Sequence, residues 1–208
     1  MSLTKNPNSL LFQLRSLVPK RPLTELECFQ VAERQATRLL KLMDVAQPGT
    51  PTEAITGLPF VQVAVRTDLP ESGHVRWAKR PPRWLILIRA SEPEGRRRFT
   101  IAHELHHLLS HELDAVTHGL CTPTERYWRA ELTANHFAAC LLMPKRFVKA
   151  QFAAGMHDVD ALARLFNVSQ EAMFRRLQEL GLIEPAPRGD RHHSFTVLHS
   201  KRNRIVAA

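Results

Sequence analysis

The sequence is short of cysteine, of long apolar runs and of acidic residues. Its 3 cysteines, Cys28, Cys121 and Cys140, form no Cys-x-x-Cys pair and no even framework, which argues against a disulfide-stapled secreted protein. No apolar run approaches the roughly 18 residues of a membrane span, and the N-terminus lacks the apolar core of a signal peptide. We therefore expect a soluble cytoplasmic protein with no membrane contact.

The shortage of acidic residues gives the chain a net charge of +9, from 29 Lys and Arg against 20 Asp and Glu. A basic surface can hold nucleic acid or an acidic partner, although a merely solvated surface is the simpler expectation. Residues 101–144 reverse the trend, with two basic and five acidic residues. Carboxylates gathered in one segment of a basic chain are expected around a metal ion.

That segment contains the pattern His103-Glu104-x-x-His107. A helix turns about 100° per residue, so the two imidazoles lie about 40° apart and one turn from each other, close enough to reach a single metal ion. Glu104 falls on the same arc. The opposite arc is apolar and comprises Ile101, Ala102, Leu105, Leu108 and Leu109. The spacing predicts a zinc site on a helix whose other face packs on the core.

Two further histidines give weaker interpretations. His107 and His111 form a competing pair, but Leu108 stands where the catalytic carboxylate would have to be. His106 falls at about 300° on the helix, away from the site, and we expect it at the surface or at the boundary of the core.

A catalytic zinc needs three protein ligands and an open position for water. A third histidine in a His-Glu-x-x-His-x-x-Gly-x-x-His pattern is excluded, because Ser110 and Leu113 occupy the glycine and histidine positions. The next helix supplies a glutamate instead, since Tyr127, Glu131 and Asn135 recur every four residues and form one stripe. Glu131 is the predicted third ligand.

Several assignments around this site stay open. Glu125 is a rival ligand, although it lies about 120° from the stripe, and Cys121 and His118 are alternative zinc donors in the preceding loop. Asn135 is predicted either to accept a hydrogen bond from a ligating histidine or to make an ordinary contact between helices. Tyr127 could donate to the oxyanion of the reaction or simply lie half buried.

With His103, His107 and Glu131 as ligands of one zinc ion per chain, Glu104 is placed to act as general base. It would take a proton from the attacking water and return it to the leaving amine. The predicted reaction is hydrolysis of a peptide bond.

Around the motif, the sequence predicts an α+β fold in which a small sheet precedes the active-site helix. A capping box, Thr24 to Glu27, opens a helix that ends near Met43. Residues 60–65 and 84–88 are typical of strands, whereas residues 67–83, with four prolines or glycines, indicate a loop.

The C-terminal part indicates a helix-turn-helix-like segment. Its first helix covers residues 160–166, Ser169 caps the second helix, and Gly181 ends it. The second helix is expected to expose only Arg175 and Arg176 as positive charges, which is little for binding a phosphate backbone. Packing on the core or docking of the substrate is therefore favoured over DNA binding, and nucleic acid is not the favoured partner.

We divide the chain into an N-terminal arm, a metallopeptidase domain, the helix-turn-helix-like segment packed on it, and a basic tail in which residues 195–198 could add an edge strand. Their bounds are residues 1–20, 21–155, 156–185 and 186–208.

Two blocks of sequence resemble the ImmA/IrrE-type zinc metallopeptidases. One runs from Arg98 to His107 as RFTIAHELHH, and the other from Glu131 to Pro144 as ELTANHFAACLLMP. The resemblance implies a minimal zincin-like fold, zinc held by His103, His107 and Glu131, Glu104 as the base, and a cytoplasmic bacterial or phage-derived location. His106 departs from the family, which commonly has glycine there.

The resemblance also implies a function, which is cleavage of a partner helix-turn-helix repressor or antitoxin to switch on a stress response or a mobile element. One alternative is a non-catalytic anti-repressor or antitoxin-like protein that sequesters its partner and whose zinc is structural or inactive. Another is a DNA-binding regulator that uses the C-terminal helix-turn-helix.

Overall fold

The computed structural model describes residues 7–51, 53–117, 119 and 121–184. The helices in this part of the chain are α1 (Pro7–Arg15), α2 (Glu25–Leu42), α3 (Glu53–Thr56), α4 (Glu94–Ser110), α5 (Asp114–Thr117), α6 (Pro123–Leu142), α7 (Lys145–Ala153), α8 (Val159–Phe166) and α9 (Gln170–Glu179). The strands are β1 (Val61–Arg66), β2 (Gly73–Lys79) and β3 (Pro82–Arg89). The predicted mixed α and β class is confirmed. None of the described helices has the length and apolar character that crossing a membrane requires.

The sheet has the order β1-β3-β2, with β1 parallel and β2 antiparallel to the central β3. Alternate residues of β3, namely Trp84, Ile86 and Ile88, are buried. The two predicted strands correspond to β1 and β3, within a residue or two at each end.

The prediction of a loop over residues 67–83 is wrong, because β2 lies inside it. The residues that argued against a strand sit at the ends of the β2–β3 hairpin, where Gly73 opens β2 and Pro82 opens β3. Between them Val75 and Trp77 lie two residues apart, which is the period of one face of a strand, and Val75 packs against the core.

Two long helices, α4 and α6, pack on each other, and α4 also packs on β2 and β3. The apolar arc of α4 is in the core as predicted, and Leu105, Leu108 and Leu109 are fully buried. The predicted capping box of Thr24 and Glu27 opens α2. A second capping box, formed by Thr122 and Glu125, opens α6.

The two C-terminal helices also lie where the sequence places them. Ser169 caps α9 through a hydrogen bond from the Ala172 N–H. The expectation that Arg176 is exposed is wrong: it is 3% exposed and donates to the carbonyl of Met143. The division into domains and the helix-turn-helix as a DNA reader remain predictions, and the predicted tail of residues 186–208, including residues 195–198, lies outside the described part of the chain.

Arg98 joins the C-terminal helices to α4. This buried side chain donates to the carbonyl of Thr50 at 2.6 Å and to the carbonyl of Asn167, in the turn between α8 and α9, at 3.0 Å. The Asn167 side chain in turn donates to Glu94 at 2.9 Å. The start of the motif helix is thereby held against the α8–α9 turn.

Candidate metal centre

Three of the predicted site residues meet at one point between α4 and α6. The Nε2 atoms of His103 and His107 are 2.9 Å apart, and the carboxylate oxygens of Glu131 lie 3.4 Å and 3.2 Å from them, respectively. One donor atom from each residue lies within 4.8 Å of the others, so the group could hold a metal ion.

Asn135 lies one turn beyond Glu131 and contacts the far side of the His103 ring. The Nδ1 atom of His103 donates to the side-chain oxygen of Asn135 across 2.9 Å, since an amide oxygen can only accept. This contact assigns the ring proton to Nδ1 and leaves the lone pair of Nε2 facing His107 and Glu131.

Both imidazoles favour the neutral form. Burial is the main cause that lowers the pKa of His103. Burial, followed by the nearby charge of His103, lowers the pKa of His107 to about 4. At neutral pH the contacts to Glu131 are therefore not ion pairs. Two neutral imidazoles and one carboxylate are a donor set that suits catalytic zinc, so the residues present fit such an ion.

Glu104 lies beside this group, on the motif helix, and is only 7% exposed. Burial raises the pKa of its carboxyl group to about 7, and the negative charge of Glu131 adds to the effect. The backbone N–H of Val75 donates to the carboxylate and acts in the opposite direction. A carboxyl group that titrates near neutral pH can both accept and return a proton.

The four residues lie in a cleft of 870 Å³. Its floor is α4, one wall is the start of β2 with the residues before it, and the other wall is α6. Tyr127 stands at the rim, where it is 58% exposed and packs edge-on against the ring of Trp128. Its predicted role at the oxyanion remains a prediction.

The competing residues lie elsewhere. His111 packs edge-on against the ring of Trp84, with centroids 4.8 Å apart. Glu125 is the third residue of α6 and belongs to the capping box that opens this helix. Cys121 does not belong to the group of residues that could hold a metal ion. His118 lies outside the described residues.

The placement of His106 at the surface or boundary is wrong. It is 6% exposed and its ring lies 5.2 Å from that of Phe137. The helical position of His106 borders the apolar arc of α4, and α6 extends over that border. The imidazole of His106 is thus accommodated inside the core.

Sequence reasoning missed the β2 wall, including the Val75 N–H that contacts Glu104. The alternation of Val75 and Trp77 was the signal that could have found it.

Comparison with known proteins agrees with the geometry. The chain matches the IrrE N-terminal-like domain, a peptidase family, over residues 62–178, which is more than half of its 208 residues. No curated protein matches it. Among solved structures it is similar to a Mycobacterium tuberculosis transcriptional regulator, with a TM-score of 0.56 and 20% identity over 83% of this chain and 51% of that one. The chain thus spans about half of that protein's length, and at this identity the likeness concerns the fold alone. The match over both motif helices shows that the chain belongs to the IrrE N-terminal-like peptidase family.

Proposed function

We propose that this protein is a zinc-dependent endopeptidase that cleaves a partner helix-turn-helix repressor or antitoxin and thereby derepresses the genes that the partner controls. The observation that carries the proposal is the convergence of His103, His107 and Glu131 beside the buried carboxyl group of Glu104 in an open cleft.

In this proposal His103, His107 and Glu131 hold the ion. When bound, zinc supplies a Lewis acid that activates water and polarises a carbonyl oxygen. Glu104 takes the proton of the attacking water on its carboxylate and delivers it to the nitrogen of the leaving amine, as the carbon–nitrogen bond breaks and a carbon–oxygen bond forms. Asn135 holds the ring of His103 in its tautomer.

The length of the cleft supports a polypeptide substrate. Its α4 floor extends from Arg96 to His107, which at 1.5 Å per residue is about 17 Å. An extended peptide of about five residues has that length. An endopeptidase that acts on an extended segment of a partner protein needs such a groove.

A purely structural zinc site is a poorer explanation. Such a site needs no group that carries a proton. Glu104 nevertheless lies buried beside Glu131, and burial together with the charge of Glu131 raises the pKa of Glu104 to about 7. Burial of an acidic group beside another carboxylate favours a catalytic over a sequestering protein.

DNA reading through α9 is also less well supported. A recognition helix of this type enters the major groove with its N-terminal residues. The residues that lead into α9 instead lie against α4, where a Cβ on Gly95 would lie 3.3 Å from the Ser169 nitrogen. Arg176 is buried, and Arg175 is paired with Glu171 at 2.6 Å. These contacts favour a role for α9 in the protein's own cleft.

The test compares the full chain with its Glu104→Gln variant, both loaded with zinc. The substrate is the helix-turn-helix protein encoded beside its gene, and products are identified by mass spectrometry. We expect one specific cut by the wild type and a rate lower by about 10²- to 10⁴-fold for the variant, with equal zinc content. An intact partner after incubation with the zinc-loaded wild type would contradict the proposal, as would undiminished cleavage by Glu104→Gln.

A further inference from the structure

A second cleft, of 410 Å³, opens next to the catalytic one. The two share Arg96, Phe99 and Asn135, so they are continuous. The second cleft lies between α4 and α6 on one side and α2 and α9 on the other. A polypeptide that crosses the metal centre toward the N-terminus of α4 therefore enters it.

Arg96 stands where the two clefts join. It precedes His103 by seven residues, so it lies on the same face of α4, within about 20°, and about 10 Å away along the helix axis. Its side chain is exposed to solvent.

The positive charge of Arg96 is not paired with an acidic residue of the second cleft. The other two arginines that line it are paired, Arg175 with Glu171 at 2.6 Å and Arg176 with Glu179 at 3.0 Å. The guanidinium of Arg96 makes no hydrogen bond or ion pair with any residue that the structure describes. The second cleft thus presents one unpaired cation to whatever lies in it.

We propose that Arg96 selects substrates with an aspartate or glutamate about three residues from the bond that is cut. The distance follows from geometry, because an extended chain advances about 3.3 Å per residue and needs about three residues to cover 10 Å. Phe99 and Leu132 line the second cleft beside Arg96, so apolar side chains fit around the acidic one. This inference rests on the proposed function, since it names the substrate class of the same site.

The chain supplies a matched control in Arg97. It follows Arg96 directly but projects about 100° away around the helix. It lines a different groove, between α4 and the sheet, next to Ile101 of α4 and Val63 of β1. Replacing either arginine by glutamine removes the same charge from the same helix, but only one replacement changes the catalytic cleft.

The experiment uses a synthetic library of dodecapeptides randomised at six central positions, with two readouts. In the first, immobilised zinc-loaded chain carrying Glu104→Gln retains peptides that it does not cut, and the retained peptides are sequenced by mass spectrometry. In the second, the zinc-loaded chain with Glu104 intact cuts the library and the new termini are sequenced. Each readout is repeated with Arg96→Gln, Arg96→Glu and Arg97→Gln.

We expect acidic residues to be enriched about fivefold among retained peptides, as suits one partly exposed charge pair. In the cut peptides the enriched position lies two to four residues from the cleaved bond. Arg96→Gln abolishes the enrichment, Arg96→Glu replaces it with Lys and Arg, and Arg97→Gln leaves it unchanged.

The inference is overturned if retained peptides show no acidic enrichment, or if Arg96→Gln keeps it, or if Arg97→Gln removes it equally. Failure of the proposed function looks different: the acidic peptides are then retained through Arg96, but none is cut by the chain with Glu104 intact.

Discussion

The backbone N–H of Val75, in β2, donates a hydrogen bond to the carboxylate of Glu104, in α4. β2 is an edge strand, and Arg89 of β3 donates to the Ser72 carbonyl at 2.9 Å. In an antiparallel pair, alternate residues direct their N–H toward the partner strand and away from it. The N–H of Val75 points away from β3, so it is available to α4. The sheet edge therefore helps to hold the proposed base.

This relationship requires β2 to lie very close to α4, and Gly73 permits it. A Cβ at Gly73 would lie 2.5 Å from Thr100 Cγ2 and 2.9 Å from the Leu87 carbonyl. Gly73→Ala must therefore push β2 away from α4 and lengthen the contact between Val75 and Glu104. We expect peptide cleavage to slow by about ten- to a hundredfold, because small misplacements of a catalytic group have effects of that size. The measurement is kcat for cleavage, with zinc content determined in parallel and expected to be unchanged.

The control for this prediction is the double variant Gly73→Ala with Thr100→Ser. Serine lacks Cγ2 but keeps the hydroxyl that donates to the Arg96 carbonyl at 3.0 Å. We expect partial recovery of kcat, partial because the Leu87 carbonyl still opposes the new methyl group. Wild-type kcat in the single variant would show that β2 does not position Glu104.

The sequence signals β2 only weakly, through the alternation of Val75 and Trp77. Its inward side chains are Val75 and Trp77, and Trp77 remains 51% exposed, so the strand buries little apolar surface. The strand exists because it pairs with β3, and pairing is not encoded in local spacing. The motif on α4 is different, because a helical spacing of four residues brings two histidines together whatever the rest of the fold does.

Asn135 is predicted to matter for metal affinity. It holds the Nδ1 proton of His103 at 2.9 Å, and loss of such a contact typically weakens metal binding about 10- to 100-fold. We expect that loss in Asn135→Ala, measured by competition with a chromophoric zinc chelator. Asn135→Asp keeps an oxygen acceptor and should stay close to wild type. Equal zinc affinity of the wild type and both variants would mean that Asn135 makes only an ordinary contact between helices.

The sequence anticipated which residues converge at this site, because both helices carry their polar stripes at regular spacing. It did not anticipate which residues beside those stripes are buried by neighbouring elements. His106 is buried by Phe137, and Arg176 is buried against the Met143 carbonyl. Phe137 lies in α6 and Met143 is the C-cap of that helix, so both contacts come from α6. The position of a residue on its own helix cannot show them, because they depend on how helices pack.

Three consecutive arginines show the same limit more clearly. Arg96 lines the cleft of the candidate metal centre, Arg97 lines a groove on the sheet side, and Arg98 is 6% exposed. As residue types they are identical in sequence. Their different environments follow from the 100° step of the helix and from the elements that surround α4, about which the run of arginines says nothing.

Arg98 is predicted to stabilise the protein far more than its neighbour. Arg98→Met keeps an apolar stem of similar length but removes the donors to the carbonyls of Thr50 and Asn167. A buried acceptor that loses its partner costs about 1–3 kcal/mol, so we expect a loss of about 3 kcal/mol in unfolding free energy. For a chain of this size that corresponds to a fall in Tm of about 6–12 °C. The measurement is calorimetry of the zinc-loaded proteins.

The matched control is Arg97→Met, which removes the same charge from a partly exposed position and should change Tm by no more than about 2 °C. Hydrogen exchange adds a local readout. Because Asn167 lies in the turn between α8 and α9, amides in those helices should exchange faster in Arg98→Met than in Arg97→Met. Equal Tm values for the two variants would mean that Arg98 does not hold the C-terminal helices on α4. Unequal values with unchanged exchange would place its effect at Thr50 instead.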